Sequence, residues 1–297
     1  MTDITLMDGA IGQELVKRSG NLATPLWSTR VMIDDPGLVG QVHCDYFAVG
    51  ATIATTNTYA VHRSRLDREG LGDQIPALIE TAMAQVEMAR ARYGGCIAGS
   101  LGPLLASYRP DLEPDPSEAA LKFGELVQLM APRVDLFLIE TVSSLREAEG
   151  ALLATRGCGK PVWLALTVQD EDGTRLRSGE PLARIGALLA RFAPDAVLVN
   201  CTRPEAVPAA LEILRTFGLP FGAYANGFTR IAEAFLANAP TVDLLERRAD
   251  MDPQTYADHA MGWVAQGATI IGGCCEIGPA HIAELARRLR AAGHRIV

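Results

Sequence analysis

Short apolar, β-branched runs recur along the chain, and the stretches between most of them carry apolar residues at helical spacing. The runs Ile4–Met7, Ala51–Thr56, Cys96–Ser100, Leu136–Ile139, Val162–Thr167, Ala196–Asn200, Phe221–Ala225 and Ala268–Ile271 predict strands. Helical patterns cover Pro76–Tyr93, Ser117–Met130, Ser144–Thr155, Ala183–Phe192, Glu205–Phe217 and Thr255–Gln266. Strand alternating with helix predicts a parallel sheet with helices packed outside it. Eight such units in 297 residues fit an α/β fold of one domain over residues 1–297, a single (β/α)8 TIM barrel, better than a flat eight-stranded sheet. No linker, repeat or low-complexity tract divides the chain. Two long excursions, Arg109–Pro116 and Asn226–Pro253, fall after strands and read as loops over an active face.

A barrel concentrates its chemistry at the carboxyl ends of its strands. Those ends read Asp8-Gly9-Ala10, Thr56-Asn57-Thr58-Tyr59, Gly99-Ser100-Leu101-Gly102-Pro103, Glu140-Thr141, Thr167, Asn200-Cys201-Thr202, Ala225-Asn226-Gly227 and Gly272-Gly273-Cys274-Cys275. Asp8 and Glu140 bring two carboxylates to one mouth. Each could instead cap the helix that follows, although glutamate is a poor N-cap.

The strongest signal is in the cysteines. Neighbouring residues on a regular strand point to opposite faces, but Gly272 and Gly273 permit backbone angles that could aim Cys274 and Cys275 at one point. Cys201 ends a strand of the same parity and can face them. Three thiolates there make a soft site suited to zinc, with a fourth position open for an exchangeable ligand. The competing reading is three buried cysteines packed as small hydrophobes, which we adopt for Cys44, Cys96 and Cys158. The five histidines lack paired ligand spacing and read as structural, with His281 at the start of the last helix.

Composition narrows the classes. A net charge of −8 and a pI near 5.2 argue against nucleic acid as a partner. No apolar run reaches the roughly 18 to 20 residues that cross a bilayer, and the amino terminus lacks a secretory pattern, so a cytoplasmic location is expected. Lysine occurs only at positions 17, 122 and 160, none at a strand's carboxyl end, which excludes a Schiff-base aldolase on this fold.

The strand-end motifs, together with Pro279 and His281-Ile282, resemble the homocysteine S-methyltransferase family over nearly the full length. The family includes the homocysteine-binding module of cobalamin-dependent methionine synthase. The resemblance implies a zinc-containing (β/α)8 barrel that moves a methyl group onto the sulfur of homocysteine to form methionine. It implies that Cys201, Cys274 and Cys275 bind zinc and activate the substrate thiol at the fourth position. Glu140 and Asp8 would receive the substrate ammonium, and backbone amides after Asp8 its carboxylate. Gly9, Asn57 and Thr141 complete the expected substrate-binding set, and Asn226 would offer an amide oxygen to zinc when substrate is absent.

The chain departs from betaine-using relatives, which carry aromatics where Thr141 and Ala60 stand here, although Trp27, Tyr59 and Tyr108 could form part of a cage. A sulfonium donor such as S-methylmethionine is therefore the first expectation. The alternatives are betaine, or a separate corrinoid protein as methyl source, as in a split methionine synthase; a non-catalytic homocysteine or metal sensor ranks below both. Asp111, Glu113 and Asp115 could attract a cationic donor or form a solvated loop. Glu276 stands where many relatives have arginine.

Overall fold

The computed structural model describes residues 2–20, 24–237 and 241–297. Strands β1 (Asp3–Leu6), β2 (Ile53–Thr55), β3 (Cys96–Leu101), β4 (Leu136–Val142), β5 (Val162–Leu166), β6 (Ala196–Asn200), β7 (Phe221–Tyr224), β8 (Ile270–Ile271) and β9 (Arg295–Ile296) form one parallel sheet. Its order is β2-β3-β4-β5-β6-β7-β8-β1-β9. The sheet curls, because β1 also meets β2 through a single parallel bridge, Met7 to Ile53. Hydrogen bonds from Thr52 N to Leu6 O (2.7 Å) and from Asp8 N to Ile53 O (3.1 Å) flank that bridge.

Period-two alternation along each strand sorts the core into two layers. Met7, Ile53, Ala98, Leu138, Ala165, Leu198, Tyr224 and Ile270 pack with one another in the hollow of the curl. Ile4, Ile97, Phe137, Ile139, Leu164, Val197, Ala223 and Ile271 point the other way, into the helices. Burial on both faces is why β4 and β6 read as unbroken apolar runs.

All eight expected strands are present, with β8 trimmed to two residues. The ninth, β9, was not expected; it pairs with the start of β1. The helices are α1 (Ile11–Ser19), α2 (Ser28–Asp34), α3 (Pro36–Val49), α4 (Arg63–Leu66), α5 (Ile75–Tyr93), α6 (Pro116–Met130), α7 (Leu145–Thr155), α8 (Gly186–Phe192), α9 (Val207–Leu214), α10 (Pro253–Ala265) and α11 (Pro279–Ala291). The expected helices over 183–192 and 205–217 are each part α-helix and part tight 3-10 turn. The sequence reading passed over α3 because Leu38, Val39, Val42, His43, Tyr46 and Phe47 are all buried, leaving no clean polar face. Its ends are conventional: Asp35 Oδ1 accepts from Leu38 N at 3.3 Å, Pro36 opens the helix, and Gly50 closes it at φ 115°. Among the described residues no helix is long and apolar enough to cross a membrane.

Candidate functional site

One cavity of about 360 Å³ opens at the carboxyl ends of the strands. Asp8, Gly9, Asn57, Glu140, Thr141, Cys201, Cys274 and Cys275 all line it, as do Trp27, Tyr59, Tyr108 and Arg65. Four of these lining residues, Trp27 (φ 49°), Tyr108 (62°), Thr141 (63°) and Cys201 (49°), hold positive φ without being glycine. That conformation costs of order 1–3 kcal/mol for each such residue, and it persists where surrounding structure imposes it, typically at functional sites. Thr141, β-branched and therefore the most strained of the four, is held by Asn200. Its N–H donates to Asn200 Oδ1 at 2.9 Å, and Asn200 Nδ2 donates to its hydroxyl at 3.0 Å.

Neither carboxylate caps a helix. Asp8 accepts from Thr55 N (2.6 Å) and Thr55 Oγ1 (2.8 Å), across to β2. Glu140 accepts from Ser100 Oγ, and from Tyr224 Oη at 3.3 Å, while Ser144 caps α7 by accepting from Glu147 N at 3.0 Å. Burial pushes Glu140 up to about 7 against the opposing pull of Ser100 and Tyr224. It pushes Asp8 up to about 8, against its hydrogen bonds from Thr55, with the nearby charge of Glu140 adding to the rise. Among the described residues neither acid forms an ion pair, so both gain from meeting a cation.

The sulfurs of Cys201, Cys274 and Cys275 lie within 4.8 Å of one another. Cys201 and Cys274 have Cα atoms 5.8 Å apart and bring their sulfurs into direct contact, and all three cysteines act as ligands only as reduced thiols. The unusual backbone angle falls on Cys201 itself, and on Glu276 at 69°, rather than on Gly272 and Gly273. Those glycines are required by space instead. A Cβ on Gly272 would stand 2.6 Å from Met7 Cβ, and one on Gly273 2.3 Å from Ile277 Cγ2. Thr167 Oγ1 and Arg177 Nη2 hold the Cys201 carbonyl at 3.1 and 3.4 Å, and Arg177 is fixed in turn by Asp170 at 2.8 Å. Burial, with Glu276 and Glu140 nearby, drives the Cys275 thiol up to about 12. A cation beside it would favour its thiolate form. Three converging soft donors fit a metal ion of the zinc type.

A profile of the family described as homocysteine S-methyltransferase matches residues 5–289. The chain belongs to that family. It is 33% identical to the homocysteine S-methyltransferase of Escherichia coli strain K12 over 96% of this chain and 95% of that protein. It is 27% identical to homocysteine S-methyltransferase YbgG of Bacillus subtilis strain 168, over 97% and 95%. Among solved structures, the metallated form of the homocysteine methyltransferase MmuM from Escherichia coli superposes with a TM-score of 0.81 at 30% identity, covering 97% of this chain and 96% of that one.

Within this homocysteine S-methyltransferase-family chain, most expected site residues share the cavity, with two differences. Asn57 lines it but spends Nδ2 on Ser28 O at 3.3 Å, so that nitrogen anchors α2. Asn226 is not among the lining residues; its Oδ1 accepts from Phe228 N at 3.2 Å, and among the described residues its buried Nδ2 has no partner. The acidic loop is not a free cation trap. Asp111 pairs with Arg109 at 2.6 Å and Asp115 with Arg146 at 2.8 Å, while Glu113 turns inward to Ser144 Oγ. His281 is structural: its Nδ1 accepts from Gly278 N at 3.2 Å, and its Nε2 faces Met251 O at 3.0 Å. The sequence reading missed Ser100, Tyr224 and Thr55 as partners of the acids. It also missed Phe235, whose ring is tilted against that of Tyr108 with centroids 6.1 Å apart and extends the aromatic wall.

Proposed function

We propose that this chain is a cytoplasmic enzyme, a closed (β/α)8 barrel of one domain whose short β9 lies outside the eight-strand closure, that transfers a methyl group from a small sulfonium donor such as S-methylmethionine to homocysteine, forming methionine. One observation carries the reading: three cysteine sulfurs within 4.8 Å of one another share a cavity with two buried acids that form no ion pair among the described residues.

Cys201, Cys274 and Cys275 would hold zinc. When bound, zinc would supply a Lewis acid that favours the thiolate form of the homocysteine sulfur. Glu140 and Asp8 receive the substrate ammonium, whose charge repays the cost of ionising them in a buried place. The amino end of α1 receives the substrate carboxylate, since among the described residues no side chain caps it. Ala10 N is already spent on Ile277 O at 3.0 Å, so Gly9 and Gly12 are the amides that offer themselves. Gly9 must be glycine there, because a Cβ would lie 2.0 Å from the Ile277 carbonyl oxygen.

Trp27 and Tyr59, in edge contact with centroids 5.7 Å apart, form the wall for a methylated cation. Trp27 is oriented by its indole N–H, which donates to Gln13 Oε1 at 3.0 Å; Gln13 Nε2 donates in turn to Glu276 Oε1 at 2.8 Å. Displacement then requires only that sulfur and methyl carbon be held in line. Betaine is the second reading, favoured by Phe235 beside Tyr108. The testing experiment is Cys201→Ala: it should lose both stoichiometric zinc and methionine formation. A zinc-replete, active variant would sink the mechanism.

A further inference from the structure

Arg65, in α4, lines the cavity but pairs with no carboxylate among the described residues. Its Nη2 makes two long hydrogen bonds, to Pro103 O and to Ser107 Oγ, both at 3.4 Å. Its Nε is buried with no acceptor among the described residues. Its neighbour Arg63, on the outside of the same helix, shows the contrast by gripping Glu125 at 2.7 Å.

The surroundings do not neutralise Arg65. Arg68 lines the same cavity and adds positive charge, and burial destabilises the guanidinium. The acid whose field reaches it, Glu147, is buried against Glu113; burial pushes both upward, and the charge of Glu113 adds to the rise at Glu147. A guanidinium offers five donors in a fixed fork matched to a carboxylate, and leaving it desolvated and half-bonded is costly.

We propose that Arg65 binds the carboxylate of the methyl donor, so that the donor is a sulfonium carrying its own carboxylate. The inference rests on the methyltransferase reading and narrows it. Tyr59 contacts both groups that would hold such a molecule, with the Trp27 ring centroid 5.7 Å and the Arg65 guanidinium 5.6 Å from its own ring. The sulfonium lies against the rings and the carboxylate reaches Arg65. Homocysteine keeps its own carboxylate at α1, so donor and acceptor are told apart by where each acid end is read. A methylated corrinoid would leave Arg65 without a counter-ion.

The test is calorimetric binding of S-methylmethionine and of its methyl ester to the zinc-loaded wild type, Arg65→Gln and Arg65→Lys, without homocysteine. Arg65→Gln should weaken the acid on the order of 10- to 100-fold and leave the ester nearly unchanged, with Arg65→Lys between. Homocysteine affinity, measured in parallel, should not move, which also reports an intact fold. Equal weakening of acid and ester, unchanged acid affinity, or a matching loss of homocysteine binding would each overturn the assignment. Turnover is scored separately. Arg65-dependent binding of the acid with no methionine formed would support the carboxylate site and refute the methyltransferase reading.

Discussion

Glu140→Gln should make the free protein more stable while crippling substrate capture. Glu140 is buried, held by Ser100 and Tyr224, and pushed from the ordinary 4.5 up to about 7. Because the folded state holds this proton more tightly than the unfolded chain, Glu140 costs nothing below about pH 4.5. Its penalty grows as pH rises through the window between 4.5 and about 7, then levels off. Fully ionised, that amounts to about 3 kcal/mol. Glutamine keeps a carbonyl for Tyr224 and carries no charge, so most of the penalty should disappear. Chemical denaturation of the metal-loaded, ligand-free protein at pH 5 and pH 8 should therefore show little difference between variant and wild type at pH 5. At pH 8 the variant should gain about 2–3 kcal/mol. The same substitution removes the partner of the substrate ammonium and should weaken homocysteine on the order of 10- to 100-fold. A variant destabilised equally at both pH values, or one that binds homocysteine as the wild type does, would refute the reasoning.

Other expectations follow from the same geometry. Binding of methionine, which presents the ammonium without a thiol, should release about one proton from Asp8 and Glu140 at pH 7, because the cation favours their ionised forms. Calorimetry in buffers of different ionisation enthalpy measures it, and proton uptake would contradict the sign. Tyr224→Phe deletes one donor to Glu140 and should weaken homocysteine several-fold, with donor KM unchanged. Gly9→Ala forces a Cβ against the Ile277 carbonyl and should cost about 3 kcal/mol in denaturant midpoint analysis; an unperturbed midpoint would show the turn to be looser than described. Oxidised protein should load little zinc, since Cys201 and Cys274 are close enough to bond to each other and that would remove two of three ligands, and reductant should restore it.

What the sequence reveals and hides follows from the kind of signal each residue carries. Asp8, Glu140, Cys201 and Cys274-Cys275 interrupt apolar runs at strand ends, so they announce themselves as polar groups at one mouth. Tyr224 does not, because it lies inside an apolar run and only its hydroxyl reaches Glu140. Arg65 reads as one surface arginine among many until the fold turns it against Tyr59. Phe235 lies in the long excursion after β7, where no periodicity reports its direction. Gly272 and Gly273 were correctly singled out for a different reason from the true one: crowding by Met7 and Ile277, which no local rule can show. Asp111 and Asp115 read equally as a cation attractor or a solvated loop because their arginine partners, Arg109 and Arg146, cannot be paired with them from sequence alone; the structure has them exposed and paired. Glu276 gains a role once it is seen holding Gln13, and through it Trp27.

The central claim is tested most directly by following methionine formation from homocysteine, with reduced, zinc-loaded protein and S-methylmethionine as donor. The account predicts robust turnover that vanishes on zinc removal and returns on reloading. No methionine from this donor, with zinc confirmed in place and homocysteine bound, would contradict it.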